Sequence, residues 1–373
     1  MNENIKAQAT VDYRFKIMYA LGMIFIVAGH CENGGISLFY DWFPVSAFEL
    51  GLFAFCSGYF YKAEAESAPG GYILKKAKKL LIPLYIWNII YGLIVLLLSR
   101  FGFTIGEEFN LYNIFIAPIT DGHQFGYNLC SWFIFPLFAI ETINVLLRKI
   151  IAIKDDKIKE HIFFILYMLL GISGVYMAMR GYNTGVWLPV TRILYLTAFY
   201  GAGRYYKAIL EEHDTLPCRY YFALIFAAGI IIIYIYGKTP GYVPSWSMFA
   251  DDAFIPFIAG FLAIAFWLRI AKILAPVIGK SRWVNAIADN TYAIMLHQFA
   301  GFMLVKAVFA LISTLTPLCS EFNMELFKTD LWYYFVPKGL SQLKIIYLAA
   351  GIIVPIGVQR AVERGKRLSK LHN

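Results

Sequence analysis

Residues 75–100 read KKAKKLLIPLYIWNIIYGLIVLLLSR: four lysines in five positions, an apolar run over 80–99, and one closing arginine. The apolar run has about the 20 residues that an α-helix needs to cross a bilayer core roughly 30 Å thick. Lysine and arginine accumulate on the cytoplasmic side of such helices. This stretch therefore predicts a transmembrane helix that enters the membrane from the cytoplasm at its lysine-rich end.

The same pattern recurs along the whole chain. The segments between apolar stretches alternate in charge: one set holds 25 lysines and arginines, and the other set holds 6. This alternation places the basic segments, and with them both termini, in the cytoplasm. The sequence thus predicts an all-α integral membrane protein, a bundle of about ten transmembrane helices that passes repeatedly through the plasma membrane. The apolar stretches lie at about 17–35, 43–61, 80–99, 128–147, 161–179, 189–203, 220–236, 252–268, 288–312 and 342–359.

Composition supports a membrane protein and argues against a nucleic-acid partner. The chain is 60% hydrophobic and 15% charged, whereas soluble domains are about 25% charged. Its net charge of +9 is explained by orientation in the membrane and by contact with anionic lipid. No segment between the stretches is long enough for a second domain, so residues 1–373 are predicted to form one transmembrane domain. The five cysteines show no paired spacing and are read as apolar packing residues, and no metal site is predicted.

Ionisable residues inside the apolar stretches are the first candidates for function. A charged group at the centre of a membrane helix costs about 2.5–3.5 kcal/mol, which makes each one a candidate for a functional role. Counting from the predicted helix ends places His30, Glu49 and Arg192 in the outer half of the membrane and His297 near its midplane. The candidates are His30, Glu49, Glu141, Arg192, His297 and Lys306.

Each candidate also has a structural interpretation. A membrane histidine often only bonds a neighbouring helix, and Glu49 would neutralise Arg192. Glu141 is expected to be structural, and Lys306 to snorkel to the outer surface. As functional groups, the set suits a proton relay for coupled transport. It equally suits group transfer, in which histidine is the base and arginine stabilises negative charge. The depth of these residues along their helices does not distinguish coupled transport from group transfer.

Six short segments, in order along the chain, carry motifs of one known family. They are IFIVAGH at 24–30, FELGLFAFCSGY at 48–59, KKAKKLLIPLY at 75–85, SWFI at 131–134, the stretch from Arg192 to Gly203, and DNTYAIMLH at 289–297. Together, over about 280 residues, they resemble the integral-membrane acyltransferase 3 family of sugar O-acetylase-like proteins. In that family the first helix ends in a functional histidine, the second ends in Ser-Gly-Tyr, and a late turn leads to Leu-His.

Two positions depart from the family pattern. Members commonly have arginine or lysine eleven residues before the first histidine, and here that position is Tyr19. Arg14 or Lys16 is the substitute expected one turn or more away. Many members carry histidine where this chain has Glu49, which would then take an acid–base or orienting role or mark a different acceptor.

The resemblance implies a membrane O-acyltransferase that moves an acetyl (acyl) group from cytosolic acetyl-CoA to a hydroxyl of a cell-surface glycan or lipid-linked sugar. His30 would deprotonate the hydroxyl or accept the acyl group itself, and Glu49 would set its tautomer. Arg192 or His297 would stabilise the oxyanion. Basic residues at the cytoplasmic mouth would contact the phosphates of acetyl-CoA. These are Lys75, Lys76, Lys78, Lys79, Lys280 and Arg282.

Two other functions stay open. A transporter or flippase of a surface glycan precursor would move its substrate without turning over acetyl-CoA. A non-catalytic membrane scaffold on the same fold would explain Tyr19 and Glu49. Turnover of acetyl-CoA that depends on His30 separates the enzyme from both alternatives.

Overall fold

The computed structural model describes residues 11–31, 48–237, 240–249 and 252–371. These residues form helices joined by turns and loops, with no β-strand among them, so the all-α fold class is confirmed. The α-helices in the described residues are α1 Tyr13–Gly29, α2 Glu49–Tyr59, α3 Pro69–Ser99, α4 Leu111–Phe115, α5 Ala117–Thr120, α6 Ile134–Ile150, α7 Asp156–Met179, α8 Trp187–Tyr205, α9 Cys218–Tyr236, α10 Ile255–Ile278, α11 Arg282–Asp289, α12 Thr291–Leu315, α13 Met324–Thr329 and α14 Lys344–Leu371.

Seven helices in this part of the chain are long and apolar enough to cross a membrane. Five of them are α3, α7, α9, α10 and α12. The other two are α6 and α14, which are counted together with the short turn before each of them. All seven coincide with predicted stretches. The other three stretches fall on α1, α2 and α8, and two of them, 17–35 and 43–61, extend into residues outside the described ranges. The protein is a multi-pass membrane protein, and the count of about ten and the cytoplasmic termini stay predictions.

Successive long helices alternate in direction, which gives the bundle two ends. Most lysines and arginines lie at one of these ends, which is named the basic end. The helices that begin there are α1, α3, α7, α9 and α12. Its segments are joined by ion pairs: Arg14 donates to Glu211 at 2.8 Å, and Arg204 donates to Glu160 at 2.9 Å. The other end, named the opposite end, carries the segments 100–133 and 316–343.

Two glycines let α2 and α8 touch through their backbones. A Cβ atom on Gly203 would lie 1.9 Å from the carbonyl oxygen of Phe55, and one on Gly58 would lie 1.9 Å from that of Tyr200. Small residues allow this close approach between membrane helices. The contact fixes α2 against α8 and turns the start of α2 toward that helix.

The outer helices of the bundle are distinguished from the inner ones by burial. Only 28% of the most apolar part of α3 and 17% of that of α9 is buried, so both present isoleucine and leucine side chains outward, where lipid would lie. By contrast, α1, α8 and α12 are buried along most of their length. Polar residues on these three inner helices are therefore the ones that a functional site can use.

Candidate functional site

His30 follows the last residue of α1 and is half-buried in the bundle. Its Nδ1 is 3.1 Å from Oε1 of Gln298, a fully buried residue of α12. Because an amide oxygen only accepts, Nδ1 carries the hydrogen and Nε2 keeps the basic lone pair. The Cys130 sulfur lies 3.8 Å and 3.9 Å from the two ring nitrogens. The backbone carbonyl of His30 accepts a hydrogen bond of 2.5 Å from the Tyr334 hydroxyl. His30 is thus held in one tautomer with Nε2 as its base.

His297 lies beside this contact, on the same helix as Gln298. Its Nδ1 is 2.8 Å from the Tyr91 hydroxyl, and its ring centroid is 4.2 Å from that of Trp87 on α3. Since His30 bonds the residue next to His297, the two imidazoles lie at one level of the bundle. Counting residues from the predicted helix ends separated them, because such counting ignores the tilt of each helix.

Arg192 is a buried cation on α8 that is held by backbone carbonyls. Its Nη1 donates to the carbonyl of Asp121 at 2.8 Å and its Nε to that of Ser245 at 2.9 Å, while Nη2 also donates to Ser245. The guanidinium carbon lies 4.6 Å from the ring centroid of Trp132. These partners, and not Glu49, satisfy the guanidinium. The carbonyl oxygens accept its hydrogen bonds without cancelling its charge, and the carboxylate of Asp121 is the charged group that interacts with it.

Glu49 begins α2, and its Oε2 is buried without a hydrogen-bond partner in the described structure. Its electrostatic neighbours are Tyr195 of α8 and Tyr242. The expected role of setting the His30 tautomer falls to Gln298 instead, so that part of the prediction is corrected. The physical reason is the packing of α2 on α8, which directs Glu49 toward α8 and away from α12.

One short turn joins His30 to Arg192. Residues Leu129–Phe133 form a 3₁₀ turn before α6. Within it, Cys130 contacts His30 and Trp132 lies under Arg192. The turn contains the start of the SWFI motif, so the predicted fourth helix begins with the residues that hold the site together. His30 and Arg192 therefore lie on two sides of the same turn.

Lys306 is buried in α12 and does not reach the outer surface as expected. Its Nζ donates to the carbonyl of Leu331 at 2.6 Å and lies 4.4 Å from the ring centroid of Tyr334. Since Tyr334 also donates to His30, the lysine anchors a segment that packs on the His30 backbone. A carbonyl and an aromatic face within reach stabilise the ammonium there.

Two neighbouring residues of the opposite-end loop, His123 and Asp121, were missed by sequence reasoning. Nδ1 of His123 is 2.9 Å from Oδ1 of Asp121. The imidazole stacks on Trp246, with centroids 4.2 Å apart and planes at 21°, and its side chain is 6% exposed. A search limited to apolar stretches could not find this pair. The available signal was the Asp-Gly-His spacing, in which Gly122 has φ +79° and packs against Trp132.

The charge states of this pair follow from its surroundings. Burial lowers the pKa of His123, and the hydrogen bond to Asp121 offsets only part of that effect. Burial alone would raise the pKa of Asp121, but the bond from His123 and the charges of His123 and Arg192 outweigh it, so this pKa is lowered. At neutral pH, Asp121 is therefore ionised beside a neutral His123.

A group of buried amides was also missed, because neutral side chains were not among the candidates. Gln124 and Asn128 both donate to Oδ1 of Asn88 on α3, at 2.6 Å and 3.4 Å. The side-chain oxygens of Gln124 and Asn128 and the hydroxyl of Tyr127 have no protein partner in the described ranges, although they are buried. Such groups are open to hydrogen bonds from a polar ligand or from water.

The basic end contains a cavity of about 870 Å³. Its lining includes the carboxylate of Asp12 and the aromatic rings of Tyr59 and Tyr61. The excess of cations suits a ligand with several negative charges. The basic residues that line it are Arg14, Lys62, Arg204, Lys207, Lys272 and Lys280.

Five of the six basic residues predicted to contact the donor phosphates do not line this cavity. Three of the lysines are exposed at the start of α3, on the periphery of the bundle. Nζ of Lys76 is instead 2.6 Å from Oε1 of Glu141, and Arg282 lies over the ring of its neighbour Trp283. Among the basic residues expected at this mouth, Lys280 does line it, and so does Arg14. The predicted residues outside the cavity are Lys75, Lys76, Lys78, Lys79 and Arg282.

Glu211 is an anion beside the cavity. Its carboxylate accepts hydrogen bonds from Arg14 at 2.8 Å, from Lys207 at 2.9 Å and from the Tyr59 hydroxyl at 2.8 Å. Burial alone would raise the pKa of Glu211, but these hydrogen bonds outweigh it, so the pKa is lowered. Arg14 and Lys207 are thus paired with Glu211. Arg204 and Lys272 also have carboxylate partners, Glu160 and Asp214, so four of the six cations of the cavity are already in ion pairs.

The comparisons with known proteins agree with this arrangement. Residues 12–337 match the family model described as an acyltransferase domain. No curated protein and no solved structure is similar enough to match the chain. The matched range begins at Asp12, the N-cap of α1, and includes the six motif segments, His30, Arg192 and His123. The chain therefore belongs to the acyltransferase 3 family and is a membrane acyltransferase by that membership.

Proposed function

We propose that the protein is an O-acyltransferase of the plasma membrane. It takes an acetyl group from cytosolic acetyl-CoA and passes it to a hydroxyl of a cell-surface glycan or lipid-linked sugar. The observation that carries the proposal is the course of α1, which lines the basic cavity at Arg14 and leads to His30. The two residues are 16 positions apart, or about 24 Å along the helix. One helix thus connects an anion site with a buried base.

The donor binds at the basic end, which in this proposal faces the cytoplasm. The phosphates of acetyl-CoA meet the cations of the cavity, and its pantetheine arm extends along α1 toward His30. Arg14 takes the place of the basic residue that the family pattern has at the position of Tyr19. The exposed lysines of α3 and Arg282 act at longer range, by raising the local concentration of the anionic donor.

His30 carries out the transfer by one of two routes. In the direct route, Nε2 takes the proton of the acceptor hydroxyl as the oxygen attacks the thioester carbonyl. The carbon–sulfur bond breaks, and the thiolate leaves and takes up the proton. In the two-step route, Nε2 attacks the thioester carbonyl, the carbon–sulfur bond breaks, and CoA leaves as the thiolate. The hydroxyl oxygen then displaces the imidazole from the acyl carbon, and the hydroxyl proton is taken up by the thiolate. In both routes Arg192 stabilises the oxyanion through its positive charge.

The remaining candidates have supporting roles. His297, bonded to Tyr91, orients the wall of the site on α12 and α3. Glu49 acts only as a positioning residue, through Tyr195 and the helix that carries Arg192. The buried oxygens of Gln124 and Asn128 accept hydrogen bonds from further hydroxyls of the acceptor.

Acetyl-CoA binding and CoA release by the purified protein test this proposal. We expect the wild type to bind acetyl-CoA and to release CoA slowly, because water replaces the missing acceptor. We expect His30→Ala to bind acetyl-CoA but to release no CoA, while the exposed His213→Ala behaves as the wild type. Near-normal CoA release by His30→Ala would refute the assignment, and absence of binding by the wild type would favour the transporter or the scaffold.

A further inference from the structure

We infer that His123 and Asp121 form a catalytic dyad that removes the proton from the acceptor hydroxyl, leaving His30 to act on the acyl group. This inference rests on the proposed function and deepens it. It assigns the activation of the acceptor to a loop at the opposite end of the bundle, away from the basic cavity.

The geometry of the pair is that of an oriented base. The Asp121 carboxylate accepts the hydrogen of Nδ1 at 2.9 Å, so Nε2 of His123 carries the lone pair. An aspartate that fixes the tautomer of a histidine in this way, and stabilises the imidazolium that forms, is the arrangement of the hydrolase triads. Trp246, stacked at 4.2 Å, fixes the plane of the ring. Such restraint is what a general base needs in order to meet its substrate in one orientation.

The position of the pair fits an acceptor that arrives from the opposite end. Trp246 is 45% exposed and offers an aromatic face beside His123. The ring centroid of His123 lies 6.4 Å from that of Trp132, in the same short turn whose Cys130 contacts His30. The charged groups that act on His123 are Asp121 and Arg192, and His123 in turn acts on His30. A hydroxyl held at His123 is therefore on the approach to the acyl group at His30.

The proton and the bonds balance in this scheme. The hydroxyl proton moves to Nε2 of His123 while the hydroxyl oxygen bonds to the acyl carbon. That carbon is on Nε2 of His30, as in the two-step route, and its bond to nitrogen breaks. The imidazole of His30 leaves neutral with its hydrogen on Nδ1, and His123 passes the hydroxyl proton to the CoA thiolate formed in the first step. Water can replace the hydroxyl, and the products are then acetate and CoA.

The experiment uses the full chain in lipid nanodiscs, with acetyl-CoA as donor, water as acceptor, and CoA release as the readout from about pH 5 to pH 9. We expect His123→Gln to lower kcat by about 10²- to 10⁴-fold, with the KM for acetyl-CoA within about twofold of the wild type. The wild-type rate should fall at acidic pH as His123 becomes protonated. We expect His123→Gln to lack this acidic limb of the pH profile. Asp121→Asn should move that limb to lower pH, because removing the negative charge lowers the pKa of His123 further.

The control is His161→Gln, which removes a histidine at the basic end that contacts only Tyr205 in the described hydrogen bonds. It should leave kcat and the pH profile unchanged. A wild-type rate and profile in His123→Gln, with His30→Ala inactive, would overturn the dyad and leave the proposed function standing. His123→Gln could instead lose both donor binding and thermal stability, while Asp121→Asn leaves the acidic limb of the pH profile unshifted. This result would show a structural role for the pair and would overturn the dyad as well. A wild type that releases no CoA would remove the proposed function and the inference together.

Discussion

The chemistry proposed for His30 depends on one buried amide. Gln298 accepts from Nδ1 and so keeps the basic lone pair on Nε2. The histidine could be found from the sequence because an ionisable group in an apolar stretch is costly. Gln298 could not, because a neutral amide carries no such signal and its contact is made across 268 positions of sequence. His123 was missed for a different reason, because it lies in a loop outside the apolar stretches.

Replacing Gln298 tests whether the amide holds the tautomer. Gln298→Leu leaves Nδ1 without its acceptor, so the tautomers mix and we expect kcat to fall by about 10²-fold with little change in acetyl-CoA binding. The matched comparison is Glu49→Gln, a buried change on α2 that does not touch His30. We expect it to lower kcat by less than about threefold. Steady-state CoA release measures both, and a larger loss in Glu49→Gln than in Gln298→Leu would restore the predicted role of Glu49.

Glu211 offers a second test at this scale, on the donor side. It occupies hydrogen bonds of Arg14 and Lys207 that the donor phosphates would use. Glu211→Gln should therefore lower the KM for acetyl-CoA by about two- to fivefold. Because the pKa of Glu211 is below its ordinary value, the carboxylate stays charged near neutral pH, and the effect should not vary from about pH 6 to pH 8.

The neighbouring Glu212, whose side chain is 60% exposed, supplies the control. Glu212→Gln removes the same charge one position away and should leave the KM within error of the wild type. Equal changes in the two variants would mean that net charge at the basic end, and not competition at Arg14, sets donor affinity.

Among the elements, the helices were more predictable than their contacts. Apolar length found the seven spanning helices, because the bilayer imposes that length. It could not show that α2 packs on α8, since that contact depends on Gly58 and Gly203. The direction of Glu49 follows from this contact, which is why its predicted pairing with His30 was wrong. The shared level of His30 and His297 likewise depends on a contact between helices, the hydrogen bond of His30 to Gln298.

The crossing of α2 and α8 predicts a sharp difference between two glycines. Gly203→Leu places a side chain where a Cβ alone would meet the Phe55 carbonyl at 1.9 Å. Overpacking of this kind costs about 1–3 kcal/mol or more, so we expect a large loss of monodisperse protein in detergent and a lower Tm. At Gly357 on α14, nothing lies within 4 Å of the same position, and Gly357→Leu should behave as the wild type. Similar yields for the two variants would contradict the contact.

For the whole molecule, the sequence predicted the family and the orientation in the membrane, and these two predictions rest on different evidence. The match over residues 12–337 confirms the family. Sidedness rests on the asymmetry of lysine and arginine, which sets orientation during insertion and leaves no trace in the packing of the helices. The donor cavity is one property that packing adds, since its cations come from segments far apart in sequence.

Orientation can be measured with the cysteines. Cys218 at the basic end is exposed, whereas Cys31, Cys56, Cys130 and Cys319 are buried. A membrane-impermeant maleimide should label Cys218 in inside-out vesicles and not in intact cells. In a Cys218→Ser background, Ser320→Cys at the opposite end should show the reverse. Labelling of Cys218 in intact cells would invert the topology and exclude a cytosolic donor at the basic cavity.

Transfer of the acetyl group across the bundle can be measured in sealed membrane vesicles. Sealed inside-out vesicles from cells that make the protein enclose their own surface glycans, and acetyl-CoA labelled in its acetyl group is supplied outside. If the protein moves acetyl groups across the membrane, we expect alkali-labile label in the enclosed glycan fraction for the wild type and none for His30→Ala. Equal label in the two preparations, or label that depends on His30 but stays on the outer side of the vesicles, would contradict it.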